Sequence, residues 1–232
     1  MRPISEILKN ISPNLKASII IIVFLIIFSI VVGIIAKHKD PTKPSKGFWL
    51  LIEWMVDWIN TMCRENLGKS WKRYAPMMLT LAMFILLANF SGLVGLSNPT
   101  ANATITISLG FISAFMIQGA AIRSNGFKNY LKSFIDPSPV MLPINLVSEI
   151  VTPFSLGMRL FGNILSGGVI LSLIYNAMAI IKIAGVPVGA ILSVFVAPVF
   201  HAIFDIFLGA IQVYVFVLLT IIFISGKMPE EE

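Results

Sequence analysis

Long apolar stretches separated by short polar segments dominate the pattern of this 232-residue chain. A helix crosses the ~30 Å hydrocarbon core of a bilayer with about 20 apolar residues. Five stretches reach that length: 17–36, 74–96, 103–122, 143–184 and 188–225. A membrane β-barrel would instead alternate apolar and polar residues. The pattern therefore predicts an all-α integral membrane protein with a single membrane domain over residues 1–232.

The last two stretches, 143–184 and 188–225, are about twice as long as one span requires. Gly185 and Pro187 lie in the turn between them. We expect two long helices, strongly tilted or kinked in the membrane, that form a hairpin. The first stretch, 17–36, is too long for the apolar region of a signal peptide and precedes no small-residue cleavage site, so it predicts a retained transmembrane helix.

Residues 48–66 follow a different pattern, in which charged residues interrupt aromatic and aliphatic ones. Trp54, Trp58 and Met62 are spaced by four and therefore share one face of a helix. Large apolar side chains on one face and charges on the other are typical of a helix that lies in the membrane interface. The pattern predicts such an interfacial helix at 48–66.

Composition and charge support the membrane assignment and add a topology. The chain is 57% hydrophobic and 12% charged, whereas soluble domains carry about 25% charged residues. The basic residues lie mainly between apolar stretches, at 37–73 and 123–132, which predicts cytoplasmic loops rather than a nucleic-acid partner. The N-terminus is then outside and the C-terminus cytoplasmic, although three basic residues before position 17 oppose this.

A single cysteine, Cys63, excludes an internal disulfide and a Cys-based metal cluster, and we expect no cofactor.

Arg159 is the only charged residue in the run 150–181. A charge at the bilayer centre costs about 2.5–3.5 kcal/mol on insertion scales, and arginine does not escape by deprotonation. Four further polar residues lie three, four or seven positions away, so that a helix carries all five on one stripe: Thr152, Ser155, Asn163 and Ser166. Neighbouring glycines would let another helix approach closely.

A second polar stripe is predicted in the final stretch. His201, Asp205 and Gln212 are separated by four and seven positions and would share a helix face. Two interpretations that give Arg159 no functional role remain open. Arg159 could snorkel to a headgroup, or it could form a purely structural ion pair with Asp205. Two polar stripes with a lone arginine and a lone aspartate favour an aqueous ion pathway instead.

These residues also carry a family resemblance. The sequence SLGMRLFGNILSG at 155–167 resembles the signature of subunit a of the F-type ATP synthase, and GAIQVYVFVLLT at 209–220 resembles the final-helix motif of that family. The segments 84–95, which contains Asn89, and 99–104 also match. The resemblance covers roughly residues 48–225.

The resemblance implies a stator subunit beside a rotating ring of c subunits, held with the b subunits of the peripheral stalk. Such a subunit offers two offset aqueous half-channels to protons or Na⁺ and is no catalyst by itself. Arg159 would be the stator arginine, which attracts the ring carboxylate and blocks a direct leak. Gln212 would position Arg159. The other ion-pathway candidates are Asn163, in the external half-channel, and Asn89 and Ser166.

One departure from the family pattern concerns the titratable group of the ion pathway. Many members carry an acidic residue nine positions after the arginine, where this chain has Gly168. Asp205, seven before Gln212, could supply the carboxylate from the neighbouring helix. Glu149 matches an acidic position of some relatives and would line the cytoplasmic half-channel, or it could simply interact with a helix N-terminus. His201 is a candidate without an assigned role.

Two other classes of function compete with this interpretation. A self-contained secondary transporter usually has internal repeats and broken helices in both halves, whereas the charges at membrane depth lie in the last two stretches here. An intramembrane enzyme could use Asp205 and His201 as acid and base, but no nucleophile is evident. A short chain without a transit peptide predicts the plasma membrane of a bacterium.

Overall fold

The computed structural model describes residues 12–39, 46–94, 97–135, 139–181 and 188–228. Within these ranges every regular element is helical. Seven α-helices follow one another: α1 (Pro13–His38), α2 (Phe48–Leu67), α3 (Trp71–Phe90), α4 (Ala103–Ser133), α5 (Leu142–Ile180), α6 (Val188–His201) and α7 (Leu208–Gly226). A π-helical segment, Ala202–Phe207, joins α6 to α7, and short 3₁₀ turns occupy Gly68–Ser70, Ser91–Val94, Pro99–Ala101 and Pro139–Met141.

Five helical stretches of the described chain are long and apolar enough to cross a membrane. The prediction of an all-α membrane protein is thereby confirmed. The stretches are Pro13–His38, Phe48–Phe90, Ala103–Ser133, Leu142–Ile180 and Leu192–Gly226. The turn at 182–187 and the end of the second predicted stretch, at 95–96, lie outside the described residues.

Helix α1 exposes most of its apolar side chains, as expected of a helix surrounded by lipid. It is hydrophobic on all sides, and Ile20, Phe24 and Ile27 are more than half exposed. Ala17, Ser18 and Ile21 are its buried residues. In water such a helix would have to bury itself, whereas in a bilayer the exposed side chains lie in hydrocarbon. Helix α1 contacts α3 and the Pro99–Ala101 turn.

The core lies between α2, α3, α4, α5 and α7. Fully buried side chains from α3 and α7 form its centre, among them Met78, Ile85, Phe216 and Ile221. Helix α2 contributes Ile59 and Cys63, and α5 contributes Leu156 and Leu160. One face of α5 is therefore packed against the core, and its other faces are not part of the core.

The structure differs from the expected boundaries in two places. The second apolar stretch was expected to begin at position 74, but α3 begins at Trp71 and contains Pro76. A proline near the N-terminus of a helix removes few hydrogen bonds. The basic segment at 123–132, expected to be a loop, is helical as the end of α4. Gly126 adopts φ 75°, so α4 changes direction there, which glycine allows without a Cβ clash.

The two long helices form the expected hairpin. Helix α5 has 39 residues with Pro153 inside it, and the amide of Gly189 at the start of α6 donates to the carbonyl of Ile181, 3.1 Å away. The second arm is not one continuous α-helix, because the wider π-helical turn at Ala202–Phe207 interrupts it.

Helices α4 and α5 cross at two glycines. A Cβ atom on Gly157 would lie 2.7 Å from both the Cα of Ile107 and the carbonyl oxygen of Thr106, and one on Gly110 would overlap the carbonyl of Pro153. Small residues let membrane helices approach to backbone contact. The crossing therefore holds the buried face of α5 against α4.

Replacing Gly157 by alanine should force α4 and α5 apart. We expect a loss of about 1–3 kcal/mol of stability from overpacking, measured as a lower thermal unfolding temperature of the detergent-solubilised protein. Gly119→Ala on α4 is the matched control, because nothing lies within 4 Å of its added methyl group. Equal unfolding temperatures for the two variants would contradict the close crossing.

Candidate functional site

The predicted polar stripe of α5 faces away from the core. Ser155, Arg159 and Ser166 are exposed, while Thr152 and Asn163 are partly buried. The buried residues of the same helix, which include Leu156 and Leu160, lie on the opposite side. A stripe of this polarity is poorly suited to hydrocarbon. It therefore requires either water or a protein partner.

Arg159 makes no hydrogen bond or ion pair with any residue that the structure describes. The interpretation as a structural ion pair with Asp205 is therefore wrong, since the Asp205 carboxylate is bound to His201 instead. Arg159 also lies near the middle of α5, far from the helix ends where snorkelling is effective. Its charge is left available on the outer surface of the hairpin.

Asp205, His201 and Tyr175 form a continuous hydrogen-bonded group. Oδ2 of Asp205 lies 2.6 Å from Nδ1 of His201, and the hydroxyl oxygen of Tyr175 lies 3.0 Å from Nε2 of the same ring. Tyr175 belongs to α5, and the other two residues belong to the second arm of the hairpin. Both nitrogens of the imidazole are thus engaged between a carboxylate and a phenol.

Gln212 does not join this group, contrary to the predicted stripe of three residues. The prediction assumed an α-helical period, and the π-helical turn at Ala202–Phe207 changes the phase between Asp205 and Gln212. The side chain of Gln212 is buried, and its Nε2 has no hydrogen-bond partner. No hydrogen bond connects it to Arg159 in the described part of the chain.

Two asparagine side chains donate to the backbone that follows the π-helical turn. Nδ2 of Asn163 lies 3.4 Å from the carbonyl oxygen of Leu208, and Nδ2 of Asn89 lies 3.3 Å from that of Gly209. Asn89 is buried and also accepts a hydrogen bond from Oγ1 of Thr100 at 2.9 Å. Ser166 donates to the carbonyl of Asn163. Asn89 and Asn163 thereby connect α3 and α5 to the start of α7.

Glu149 lies at the other end of α5, in a polar cluster. Its carboxylate accepts hydrogen bonds from Nζ of Lys227 and Nε2 of Gln118. The hydroxyl of Tyr130 donates to the amide oxygen of Gln118 at 2.8 Å, and Nδ2 of Asn125 donates to the carbonyl of Lys227, also at 2.8 Å. A cavity of about 390 Å³ opens beside Glu149 and Lys227.

The interpretation of Glu149 as a partner of a helix N-terminus is not supported. Helix α5 begins at Leu142, so Glu149 lies about two turns inside it. The favourable interaction with a helix dipole falls off within the first turn. The charge partner of Glu149 is Lys227.

Reasoning from the sequence missed the residues that contact His201 and Glu149 from other parts of the chain: Tyr175, Gln118 and Lys227. Each lies on a different helix or segment from the residue it contacts. Their recognition requires the register between helices, which the periodicity of a single helix does not contain. The one available signal was their polarity next to long apolar stretches.

Comparison with known proteins gives a match that includes these site residues. The sequence profile described as ATP synthase A chain matches residues 17–225. A protein named ATP synthase subunit a from Anoxybacillus flavithermus is 29% identical over 93% of this chain and 92% of its own length. Proteins of the same name from Oceanobacillus iheyensis and Enterococcus faecalis are 35% identical over 84% of this chain and 82% of theirs, and 32% identical over 98% of both.

The bacterial relatives and the five apolar helices identify a multi-pass membrane protein. The profile match begins in α1 and ends in α7, and it includes Arg159, Gln212 and the residues around the π-helical turn. The resemblance found in the motifs at 155–167 and 209–220 is thereby confirmed, and the chain belongs to the ATP synthase A chain family.

Proposed function

We propose that this chain is the ion-translocating stator subunit in the membrane sector of a rotary ATP synthase, and that it carries ions to and from a ring of c subunits. The observation that carries the proposal is Arg159, an exposed guanidinium near the middle of an apolar helix and without a partner among the described residues. A charge in that position needs an external counter-charge. A carboxylate on a neighbouring ring would supply it.

Arg159 acts on the ring by electrostatics. A permanent cation next to a ring carboxylate favours its ionised form, so the carboxylate releases its ion as it approaches Arg159. The same cation repels a proton or Na⁺ that would pass straight along the stripe. Ion flow is thereby coupled to ring rotation.

Two half-channels approach Arg159 from opposite sides. Asn163, Ser166 and Asp205 belong to the external one, and Asn89 fixes the backbone of α7 beside it. Glu149 belongs to the cytoplasmic one, which begins at the cavity next to Lys227. The buried amide of Gln212, whose Nε2 lacks a partner, forms part of the wall between the two. The proposed orientation has the N-terminus outside and the C-terminus in the cytoplasm, as the basic loops predict.

The rival classes of function receive less support. The family match to ATP synthase subunit a disfavours a self-contained transporter. The subunit performs no bond chemistry of its own in this proposal, and the His201–Asp205 pair serves ion movement. Its partners are the c-ring, the b subunits of the peripheral stalk and the lipid bilayer, in a bacterial plasma membrane.

Arg159→Ala should abolish gradient-driven ATP synthesis in membranes that carry the intact complex, because the ring carboxylate would lose its counter-charge at the stator. We expect a fall to background. Arg123→Ala, which removes an exposed arginine outside the apolar stretch of α4, should leave synthesis unchanged. The complex must copurify with its ring in both cases. Near-normal synthesis by the assembled Arg159→Ala complex would refute the stator role.

Glu149→Gln should slow ATP synthesis about tenfold or more, since it removes a titratable group from the cytoplasmic pathway. The variant also leaves Lys227 without its carboxylate partner, which by itself lowers the stability of the protein. The double variant Glu149→Gln/Lys227→Gln restores electrical balance. We expect it to recover thermal stability but not ion flux. Recovery of both would show that Glu149 is only a structural partner of Lys227.

A further inference from the structure

Helix α4 continues beyond the apolar stretch that can span the membrane. Residues 103–122 are the apolar part, and a helix of that length is about 30 Å long, which equals the thickness of the hydrocarbon core. Arg123 is the first charged residue after this part, and α4 bends at Gly126, where φ is 75°. The bend lies about 6 Å past the apolar part, so residues 127–135 begin at the level of the lipid headgroups.

Residues 127–135, which we call the basic end of α4, expose apolar side chains on one face. Phe127 and Leu131 are four residues apart and therefore share a helix face, and they are 62% and 51% exposed. Ile135, in the turn that follows Ser133, is also exposed. An apolar face of this kind is unfavourable in water and is typical of a surface that contacts a membrane or another protein.

The opposite face of the basic end is attached to the rest of the chain. Tyr130 and Phe134 are partly buried, and their rings pack edge to face with centroids 5.1 Å apart. The hydroxyl of Tyr130 donates to Gln118 at 2.8 Å, and Nδ2 of Asn145 on α5 donates to the carbonyl oxygen of Phe134 at 3.0 Å. These contacts fix the rotation of the helix, so the apolar face points away from the protein.

A row of positive charge lies beside the apolar face. Lys128 and Lys132 each follow a residue of that face and are four positions apart, so they share the neighbouring side of the helix. Both lysines are exposed, as is Arg123 before the bend. None of the three has an ion-pair partner in the described part of the chain, and residues 123–135 contain no Asp or Glu. Their charge is therefore available to a negatively charged partner.

We propose that the basic end of α4 lies in the membrane interface and binds the headgroups of anionic phospholipids. Lys128, Lys132 and Arg123 contact the phosphates, and the Phe127–Leu131 face inserts at the boundary between headgroups and acyl chains. The inference goes beyond the proposed function, since it assigns a lipid-binding surface outside the ion pathway. It requires only that α4 spans the membrane, and it holds for either orientation of the chain.

The charge and the depth of the segment favour lipid over a protein partner. An amphipathic helix with lysines beside an aromatic and aliphatic face matches the membrane interface, where hydrocarbon and phosphate lie next to each other. Anionic headgroups supply a continuous layer of negative charge that attracts basic residues close to the end of a membrane span. The bend at Gly126 occurs at the level of this layer, so a single occupant satisfies both the apolar face and the lysines.

The test measures which lipids touch the basic end of α4 in the whole complex, reconstituted into bilayers. A fluorophore is attached at Leu131→Cys in a chain whose Cys63 is replaced by alanine. The bilayers consist of phosphatidylcholine and phosphatidylglycerol, and bromine atoms are carried by one of the two lipids at a time. Bromine quenches a fluorophore only at close range, so the ratio of the two quenching efficiencies reports the preference for the anionic lipid.

We expect brominated phosphatidylglycerol to quench the label at Leu131 more strongly than brominated phosphatidylcholine. Lys128→Gln/Lys132→Gln should reduce this preference by about fivefold for each lysine removed. The preference should also fall in 1 M salt, where the screening length is about 3 Å instead of about 10 Å at 0.1 M. A label at Asn129→Cys, two positions away and on the opposite side of the helix, should be quenched less by both lipids.

The matched control removes the same charge elsewhere on the same side of the membrane. Lys72 and Arg73 are exposed in the first turn of α3, and α3 runs antiparallel to α4, so the start of α3 and the end of α4 lie in one leaflet. Lys72→Gln/Arg73→Gln should leave the preference at Leu131 unchanged. An equal loss in this control would show a general effect of net charge and would overturn a site at the basic end.

Three other results would contradict the proposal. Equal quenching by the two brominated lipids, or a preference that survives the lysine substitutions, would exclude binding of anionic headgroups. Equal quenching of labels at Leu131 and Asn129 would exclude the interfacial orientation. Quenching at Leu131 in the full-length chain alone but not in the complete complex would show that a protein subunit covers this face. If the label at Leu131 prevents assembly, Ile135→Cys supplies a second position with the same expectations.

The readout is lipid contact, so its failure is distinct from a failure of the proposed function. If the lipid preference is absent while Arg159→Ala abolishes ATP synthesis, the lipid site is wrong and the stator role stands. If the preference is present while Arg159→Ala leaves synthesis intact, the stator role fails and the lipid site stands.

Discussion

The cost of a permanent charge at bilayer depth governs this structure. Arg159 cannot neutralise itself by losing a proton, and its position near the middle of α5 keeps it away from headgroups. Within the described chain it has no partner, and we propose that its counter-charge lies on another molecule. The rest of the fold supports that proposal, because the Gly110–Gly157 crossing and the buried Leu156 and Leu160 hold one face of α5 while the Arg159 face points outward.

Several other polar residues of the apolar stretches have partners inside the described chain, and Gln212, whose Nε2 has none, is an exception. Asn89 and Asn163 donate to backbone carbonyls next to the π-helical turn. Asp205 is matched by His201 and, through it, by Tyr175. Glu149 is matched by Lys227 and Gln118. Arg159 differs from these residues because it has no partner within the described chain, as the proposed coupling to a ring requires.

Much of the fold followed from one property of the sequence, the length of its apolar stretches. The bilayer thickness fixes how many residues a span needs, so five helical stretches of membrane-spanning length and a long hairpin could be predicted without knowledge of packing. The polar stripe around Arg159 could also be predicted, because α5 is a continuous α-helix there and keeps the α-helical period. Gly126 escaped this reasoning, because a glycine among basic residues indicates a loop as readily as a bend between two helical pieces.

The site was less predictable wherever it depends on contacts between helices. The face shared by His201 and Asp205 was predicted correctly, but Gln212 was placed with them because a π-helical turn leaves no clear mark in the hydrophobic pattern. The pairing of Tyr175 with His201 depends on the antiparallel register of the hairpin, and that of Glu149 with Lys227 depends on where α7 ends against α4 and α5.

The central claim is that the Arg159 face of α5 contacts a ring of partner subunits. Disulfide cross-linking tests it most directly, in a complex where the lone Cys63 is replaced by alanine and each ring subunit carries a cysteine beside its carboxylate. Cysteines at Ser155 and Ser166 should form adducts with ring subunits, and a cysteine at Ile27, which is 58% exposed on α1, should not. Adducts from Ile27 but none from the Arg159 face would contradict the account.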